Sequence, residues 1–298
     1  MRADHTRWDK SDRWHIGVIG GSGLAEGIGL DDAQEIVVKS PFGEASGPVT
    51  VGTLAGVRFT FLARHGAGHR IPPGAIDYRA NIDVLKRCGV TDVIALSAIG
   101  SLREKLAPGH FVAVDQFIDR TVHRGASFFG PGLVAHVSLA DPVCPVLSGF
   151  AADAAKAAGA KVHRGGCYLA MEGPQFSTRA ESKLYRLWGA DVIGMTAIPE
   201  ARLAREAELP YALLGMVTDY DAWREEAQGV EAAEVFAVMQ ANAATARAAV
   251  RALAALLPER RPPSPIDRAL DHAIATAPAA RDQRLLARLD AVAGRVLG

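Results

Sequence analysis

Cysteine is scarce in this 298-residue chain: Cys88, Cys144 and Cys167 are the only three, far apart and without CxxC spacing. That excludes a disulfide framework and supplies no zinc ligand set, so no metal is expected. An excess of one charge is equally absent, because 33 Lys and Arg balance 33 Asp and Glu. Without a net positive field there is nothing general to hold a nucleic-acid backbone or an anionic membrane surface, and a small molecule is the expected partner. No uninterrupted apolar run approaches the roughly 18 residues of a membrane span. Met1 to Trp14 is charged and polar where a secretion signal needs an apolar stretch, so the expected location is the cytoplasm. Internal repeats are lacking too, and the one biased stretch, Pro262-Pro263-Ser264-Pro265 after Arg260-Arg261, reads as a linker. The expected organisation is an N-terminal extension over 1–14, one domain over 15–260, and a linker with a helical tail over 261–298.

What is present is an apolar majority in short runs, 49% of the chain being hydrophobic. Ile16 to Ile19, Val57 to Ala63, Asp92 to Leu96, Phe111 to Val114, Asp191 to Gly194 and Tyr211 to Val217 read as buried strands. Helical patterns cover Ile76 to Cys88, Leu147 to Ala158, Thr178 to Trp188, Pro199 to Glu208 and Val230 to Leu257. The alternation predicts a single α/β domain with a twisted, mainly parallel but mixed central sheet flanked by helices.

Ligands of such sheets gather at the carboxyl ends of strands, where this chain is polar. Gly20-Gly21-Ser22-Gly23 can aim successive N–H groups at an anion, although a plain tight turn has the same composition. It lacks the spacing of a dinucleotide fingerprint or a P-loop. Arg64-His65 offers a five-donor guanidinium suited to phosphate oxygens, or to a structural carboxylate. Ser97 and Thr196 add neutral donors that could equally satisfy local backbone. Asp219 and Asp221, flanking Tyr220, suit a metal, an acid–base pair or a base edge bearing N–H donors, and a helix cap or solvated turn also accounts for them. Glu172-Gly173-Pro174-Gln175-Phe176-Ser177 is a turn presenting a ring that could stack on a heterocycle, and Thr178 with Glu181 fits a helix capping box.

Read in order, Gly20-Gly21-Ser22-Gly23-Leu24, Ala63-Arg64-His65-Gly66, Ser97-Ala98-Ile99-Gly100-Ser101-Leu102, Glu172-Gly173-Pro174-Gln175-Phe176, Gly194-Met195-Thr196 and Thr218-Asp219-Tyr220-Asp221 resemble the motif set of the trimeric purine nucleoside phosphorylases. Within that family the similarity is to the branch acting on 5'-methylthioadenosine. It spans about residues 15 to 260, and Ala269 to Ile274 resembles a family tail. The resemblance implies that Ser22, Arg64, His65, Ser97, the Ala98 amide and Thr196 hold phosphate, with Met195 on the ribose. Phe176 would pack on the purine, with Asp219, Tyr220 and Asp221 at its edge and Asp219 sharing a proton with N7. His69, Val235 and Phe236 would meet the 5' group, with His136 from an adjacent subunit of a homotrimer. No cofactor is implied, inorganic phosphate being a co-substrate.

Two positions bear on the base. Relatives specific for guanine and hypoxanthine place Asn where Asp219 stands and Glu where Ser177 stands. A carboxylate accepts from a 6-amino group but opposes a 6-oxo oxygen, so Asp219 with Ser177 favours 6-aminopurines. Ala232 stands where a larger apolar residue is common near the 5' pocket, which leaves the 5' group open among methylthioadenosine, 5'-deoxyadenosine and adenosine. Rival readings are a phosphorylase of other base preference, such as one acting on methylthioinosine, a nucleosidase using water, and a non-catalytic nucleotide-binding module. In the tail, Leu285, Leu286, Leu289, Val292 and Val296 form an apolar stripe that must be buried, against the chain itself or a neighbour.

Overall fold

The computed structural model describes residues 12–21, 24–224 and 232–298. Eleven strands form one sheet: β1 (His15–Gly20), β2 (Asp31–Ile36), β3 (Val49–Leu54), β4 (Val57–Ala63), β5 (Asp92–Ser101), β6 (Phe111–Val114), β7 (Gln116–Arg120), β8 (Val162–Arg164), β9 (Cys167–Met171), β10 (Val192–Gly194) and β11 (Tyr211–Asp219). Seven helices accompany them: α1 (Tyr78–Arg87), α2 (Pro145–Ala157), α3 (Arg179–Leu187), α4 (Ala197–Glu206), α5 (Ala232–Leu256), α6 (Gln283–Arg288) and α7 (Asp290–Leu297). The main path runs β2-β3-β4-β1-β5-β10-β9-β7, with β11 joining β5 to β6 and β8 pairing with β6. The β1–β4, β1–β5, β5–β11, β9–β10, β7–β9 and β6–β8 pairs are parallel and the other four antiparallel. The expected mixed, mainly parallel sheet is therefore the observed one.

Alternation along the central strands sorts side chains between two cores. Ile16 and Val18 of β1 and Ile94 and Leu96 of β5 face α2 and α5, packing on Leu147, Ala151, Val250 and Leu253. Ile19, Val93, Ala95 and Ile99 face the other side, where α1, α4 and the C-terminal segment supply Ile82, Leu85, Leu203, Leu270 and Val292. Helix starts follow local chemistry. The Asp77 carboxylate caps α1 by accepting from Ala80 N at 3.0 Å, and the expected Thr178–Glu181 capping box opens α3 with both reciprocal bonds.

Two strands run further than their apolar runs. β5 continues through Ser97 to Ser101, and β11 reaches Asp219 across an irregularity after Val217. Ser97, Ala98 and Gly100 thus belong to a strand rather than to the loop beyond it. The start of the expected 230–257 helix lies outside the described residues, and α5 is seen from Ala232. The stretch read as a linker is anchored. Arg261 is buried against Asp92 and Asp267, Nη2 meeting Asp267 Oδ1 at 2.7 Å, and Ser264 caps a 3-10 turn.

Candidate active site

β1 and β4 end together, Gly20 in register with Ala63, and Arg64 N donates to Gly20 O at 2.9 Å. That places the first glycine turn beside Arg64 and His65. Ser22, expected in the phosphate set, lies outside the described residues.

Arg64 is 2% exposed and grips Glu200 with Nε and Nη2, the Nη2–Oε2 contact being 3.1 Å, while Nη1 donates to Leu96 O at 3.1 Å. Burial disfavours the guanidinium charge, and Glu200 more than restores it, so Arg64 is held protonated. The carboxylate pairing left open by the sequence is thus present. Three of its five N–H groups serve the protein and two remain for an anion.

His65 shows its tautomer. Nδ1 lies 2.9 Å from Ile71 O, an acceptor only, so Nδ1 carries the proton and Nε2 is left as an acceptor. Burial, then the Arg64 charge, depresses its pKa to about 4, so the ring is neutral at pH 7. Its ring stacks on His69 at 4.0 Å, and His69 meets the Phe236 ring edge-on at 6.1 Å. His65, expected at the phosphate, and His69 and Phe236, expected at the 5' group, are therefore contiguous. Val235 sits beside Phe236 on α5 half-buried, and Ala232 is exposed at its start.

Ser97 Oγ lies 3.2 Å from Thr196 Oγ1, and both residues are buried. Thr196 precedes α4 without capping it, and its N–H donates to the Tyr168 hydroxyl at 3.2 Å. Three residues beyond Ser97, Gly100 pairs with Asp219 of β11. A Cβ at Gly100 would come within 2.9 Å of Asp219 Oδ1 and 3.0 Å of Ile193, so only glycine leaves room for that carboxylate.

The two carboxylates differ. Asp219 is half-buried and accepts from Thr218 Oγ1 at 2.7 Å and Asp221 N at 2.8 Å. Asp221 is 7% exposed, its Oδ2 buried without a hydrogen-bond partner among the described residues. Burial raises its pKa; the nearby Ser182 and Ser177 hydroxyls pull it partway back and the Asp219 charge pushes it up again. Of the two carboxylates, Asp221 is thus the one that burial pushes toward its protonated form. Tyr220 turns elsewhere, its hydroxyl 3.4 Å from Glu104 O and its ring under the Arg224 guanidinium. Ser177 is buried with its hydroxyl 3.7 Å from Met171 Sδ, while Phe176 is 40% exposed. Met195 lies against Gly173, where φ is 68° and an added Cβ would come within 2.5 Å of Met195 Sδ, so a side chain there is disfavoured.

His136 is not brought to this cluster within one chain. It is exposed, and its N–H donates to Ala273 O at 2.8 Å beside the Ala135–Ile274 bridge.

One residue escaped the sequence reading. Arg124, its side chain buried, donates to Glu172 Oε1 (2.9 Å), Glu172 O (2.7 Å), Met195 O (2.6 Å), Ile198 O (2.8 Å) and the Tyr78 hydroxyl (3.1 Å). One guanidinium thus ties the Phe176 turn to the Met195–Thr196 segment. It sits in a loop with no motif around it, so nothing in spacing marked it.

Donors for an anion on one side, and paired carboxylates with an open ring on the other, share one rim of a mixed sheet, and the fold is that of a nucleoside phosphorylase. The family model described as the phosphorylase superfamily matches residues 15–255, and the chain belongs to that superfamily. It is 57% identical to the S-methyl-5'-thioadenosine phosphorylase of Cereibacter sphaeroides over 284 residues, 95% of this chain and 98% of that one. The corresponding protein of Bradyrhizobium diazoefficiens is 56% identical over the same shares. Among solved structures, a methylthioadenosine phosphorylase from an antarctic soil metagenomic library superposes with a TM-score of 0.89 at 42% identity, covering 94% of this chain and 99% of that one. A mutant adenosine/methylthioadenosine phosphorylase from Schistosoma mansoni, in complex with methylthioadenosine, gives 0.76 at 33% identity, covering 82% and 91%.

Proposed function

We propose that this chain uses inorganic phosphate to cleave the N-glycosidic bond of 5'-methylthioadenosine, giving adenine and 5-methylthioribose 1-phosphate. The observation that carries the reading is the spacing on β5: Ser97, facing Thr196 across 3.2 Å, stands three residues from Gly100, against which Asp219 lies. An anion and a purine edge can so be held on either side of one ribose. Ser22, Arg64, His65, Ser97, the Ala98 amide and Thr196 hold the phosphate. Neutral His65 accepts the phosphate's own O–H at Nε2, and the two spare Arg64 N–H groups donate.

Phosphorolysis passes through a ribosyl cation-like state, so phosphate beneath the sugar is both nucleophile and electrostatic stabiliser. The purine departs with its electron pair and takes a proton at N7. Asp219 shares that proton. Burial at Asp221 resists a second negative charge beside Asp219, so the proton belongs to the pair. Asp219 and Asp221 together read N7 and the 6-amino group, Phe176 packs on the ring, and Met195 meets the ribose. His69, Val235 and Phe236 line the 5' pocket beside Ala232, which His136 of an adjacent subunit completes in a cytoplasmic homotrimer. The reaction calls on no cofactor or metal.

The test is an activity panel of methylthioadenosine, 5'-deoxyadenosine, adenosine, inosine and methylthioinosine, with and without phosphate. Methylthioadenosine should be cleaved only with phosphate present; equal rates in its absence would make the chain a hydrolase. Asp219→Asn, which can donate to a 6-oxo oxygen, should lower methylthioadenosine turnover and move the preference toward inosine-type substrates. An unchanged ratio in a folded variant would remove Asp219 from base recognition.

A further inference from the structure

Away from the purine and phosphate groups, a cavity of about 760 Å³ opens where the second half of α2, the edge strand β8 and the turn before β6 meet. That volume suits a ligand of metabolite size. Lys105, Lys156 and Lys161 line it with Arg164 and His163, and its apolar lining is limited to small or aliphatic groups such as Ala152, Leu106 and Val162. Its one aromatic ring is the His163 imidazole, and no Phe, Tyr or Trp lines it among the described residues.

The local charges separate into engaged and free. Arg164 is paired with Asp153 at 2.6 Å, and Asp191 is taken by Arg103 at 2.9 Å and Cys167 N at 3.0 Å. Glu104 is held by Arg224, and Asp115 Oδ1 accepts from Gly166 N at 3.0 Å. The three lysines have no carboxylate partner among the described residues, so the cavity keeps ammonium groups uncompensated in a protein of zero net charge.

The histidine wall completes the arrangement. His110 Nδ1 accepts from Ala107 N at 3.1 Å, so it carries no proton and accepts from His163 Nε2 at 3.0 Å as well. His163 then spends its Nε2–H inside the wall and has Nδ1 left. In the neutral ring Nδ1 is an acceptor; on protonation it becomes a donor. Burial first, then the charges of His110, Lys161 and Lys105, hold the His163 pKa down. An anion among the lysines opposes the lysine contributions and so favours the protonated ring.

We propose that this cavity is a second binding site, for the polyphosphate chain of a small metabolite, held by Lys105, Lys156 and Lys161 beside the His163 ring. The chain is the recognised element, whether free or carried by a nucleotide, because the uncompensated groups of the lining are the ammonium groups of Lys105, Lys156 and Lys161.

Calorimetry on the full-length protein tests this, with inorganic phosphate and adenine at saturating concentration to occupy the purine and phosphate groups of the first site. Tripolyphosphate should bind once per chain, and the combined Lys105→Ala, Lys156→Ala, Lys161→Ala variant should weaken it at least tenfold while its basal kcat and phosphate KM stay at parent values. ATP binding equal to tripolyphosphate identifies a free chain as sufficient; ATP binding tenfold tighter identifies a nucleotide as carrier. Both support the site. The His163 imidazole resonance should titrate at higher pH when tripolyphosphate is bound. Unchanged affinity in the triple variant, displacement of tripolyphosphate by inorganic phosphate, or tighter binding of a single-stranded oligonucleotide than of either probe would each overturn it.

Discussion

Arg64 and Glu200 form a pair whose members depend on each other, since both are almost wholly inside the protein and Tyr211 adds a third contact, its hydroxyl 3.1 Å from Glu200 Oε2. Arg64→Ala would strand a carboxylate there, at a cost of about 3–5 kcal/mol. Urea unfolding measures it; a variant as stable as the parent would show that Glu200 does not rely on Arg64. Any phosphate KM of Arg64→Ala must be read beside that loss, which an Arg seen only as a phosphate ligand would not entail. Histidines set a pH dependence. His15, hydrogen-bonded to Thr60 Oγ1 at 2.8 Å, is depressed from 6.5 to about 4 by burial and then by Arg58, and His65 is lowered likewise. Between those values the unfolded chain takes up protons that the folded chain refuses, so this contribution is present above pH 6.5 and lost as pH falls toward 4. Glu206 acts in the opposite sense: burial raises it to about 7, so its stabilisation is present at low pH and lost as pH rises to that value. Comparing His15→Gln with the parent from pH 8 to pH 4 isolates one histidine. The stability difference should hold steady above about 6.5 and shrink below it; a flat difference would contradict the depressed pKa.

Elements carry the residues only as well as loops are pinned, and Arg124 is the pin. Its fork satisfies carbonyls at Glu172, Met195 and Ile198 at once, positions that must keep their spacing if Phe176 and Thr196 are to face one ligand. Arg124→Lys keeps the charge but cannot span three carbonyls. It should lower kcat/KM on the order of tenfold to a hundredfold, since shifts of about 1 Å at a reacting centre have that effect. Arg124→Lys with parental kcat/KM would mean that the turn holds itself. The sequence showed the central strands because both their faces are apolar, and the capping box at Thr178 because it is local. It hid β2, whose six residues are all exposed and lack any alternation. β3, β7, β8 and β9 passed unseen as well, and β5 ran on through Ser97-Ala98-Ile99-Gly100-Ser101, where polar and glycine residues look like a turn. Motif residues were legible as types. Which carboxylate is buried, and that Arg64 has a partner 136 positions away, are consequences of tertiary packing.

For the whole molecule, the C-terminal segment closes one of the two cores. Leu270, Leu289 and Val292 are buried among residues of α1 and α4, with Leu285, Leu286 and Val296 packed against them, so the apolar stripe is covered by the chain itself. Glu208, buried to 1%, depends on the same segment: Leu270 N donates to Oε1 at 2.9 Å and Arg295 Nε to Oε2 at 2.8 Å. The segment also holds the strip bearing His136, through Ala275 N to Val134 O at 2.9 Å and Val134 N to Thr276 Oγ1 at 2.8 Å. Cutting after Pro265 removes four large buried side chains, Ile266, Leu270, Leu289 and Val292, each contributing about 1.5–3 kcal/mol, and leaves Glu208 without its cation. That total is comparable with the about 5–15 kcal/mol that keeps a typical domain folded. The truncated chain should therefore lose cooperative thermal unfolding and near-ultraviolet dichroism, rather than merely change its preference at the 5' position. A truncated protein melting with the full-length chain would refute this placement of the segment. The 5' question then passes to His136→Ala, which leaves both cores intact. If a neighbour's His136 completes the pocket, this variant should keep its phosphate KM and lose discrimination between methylthioadenosine and adenosine; an unchanged ratio would leave the pocket to His69, Val235 and Phe236 of one chain.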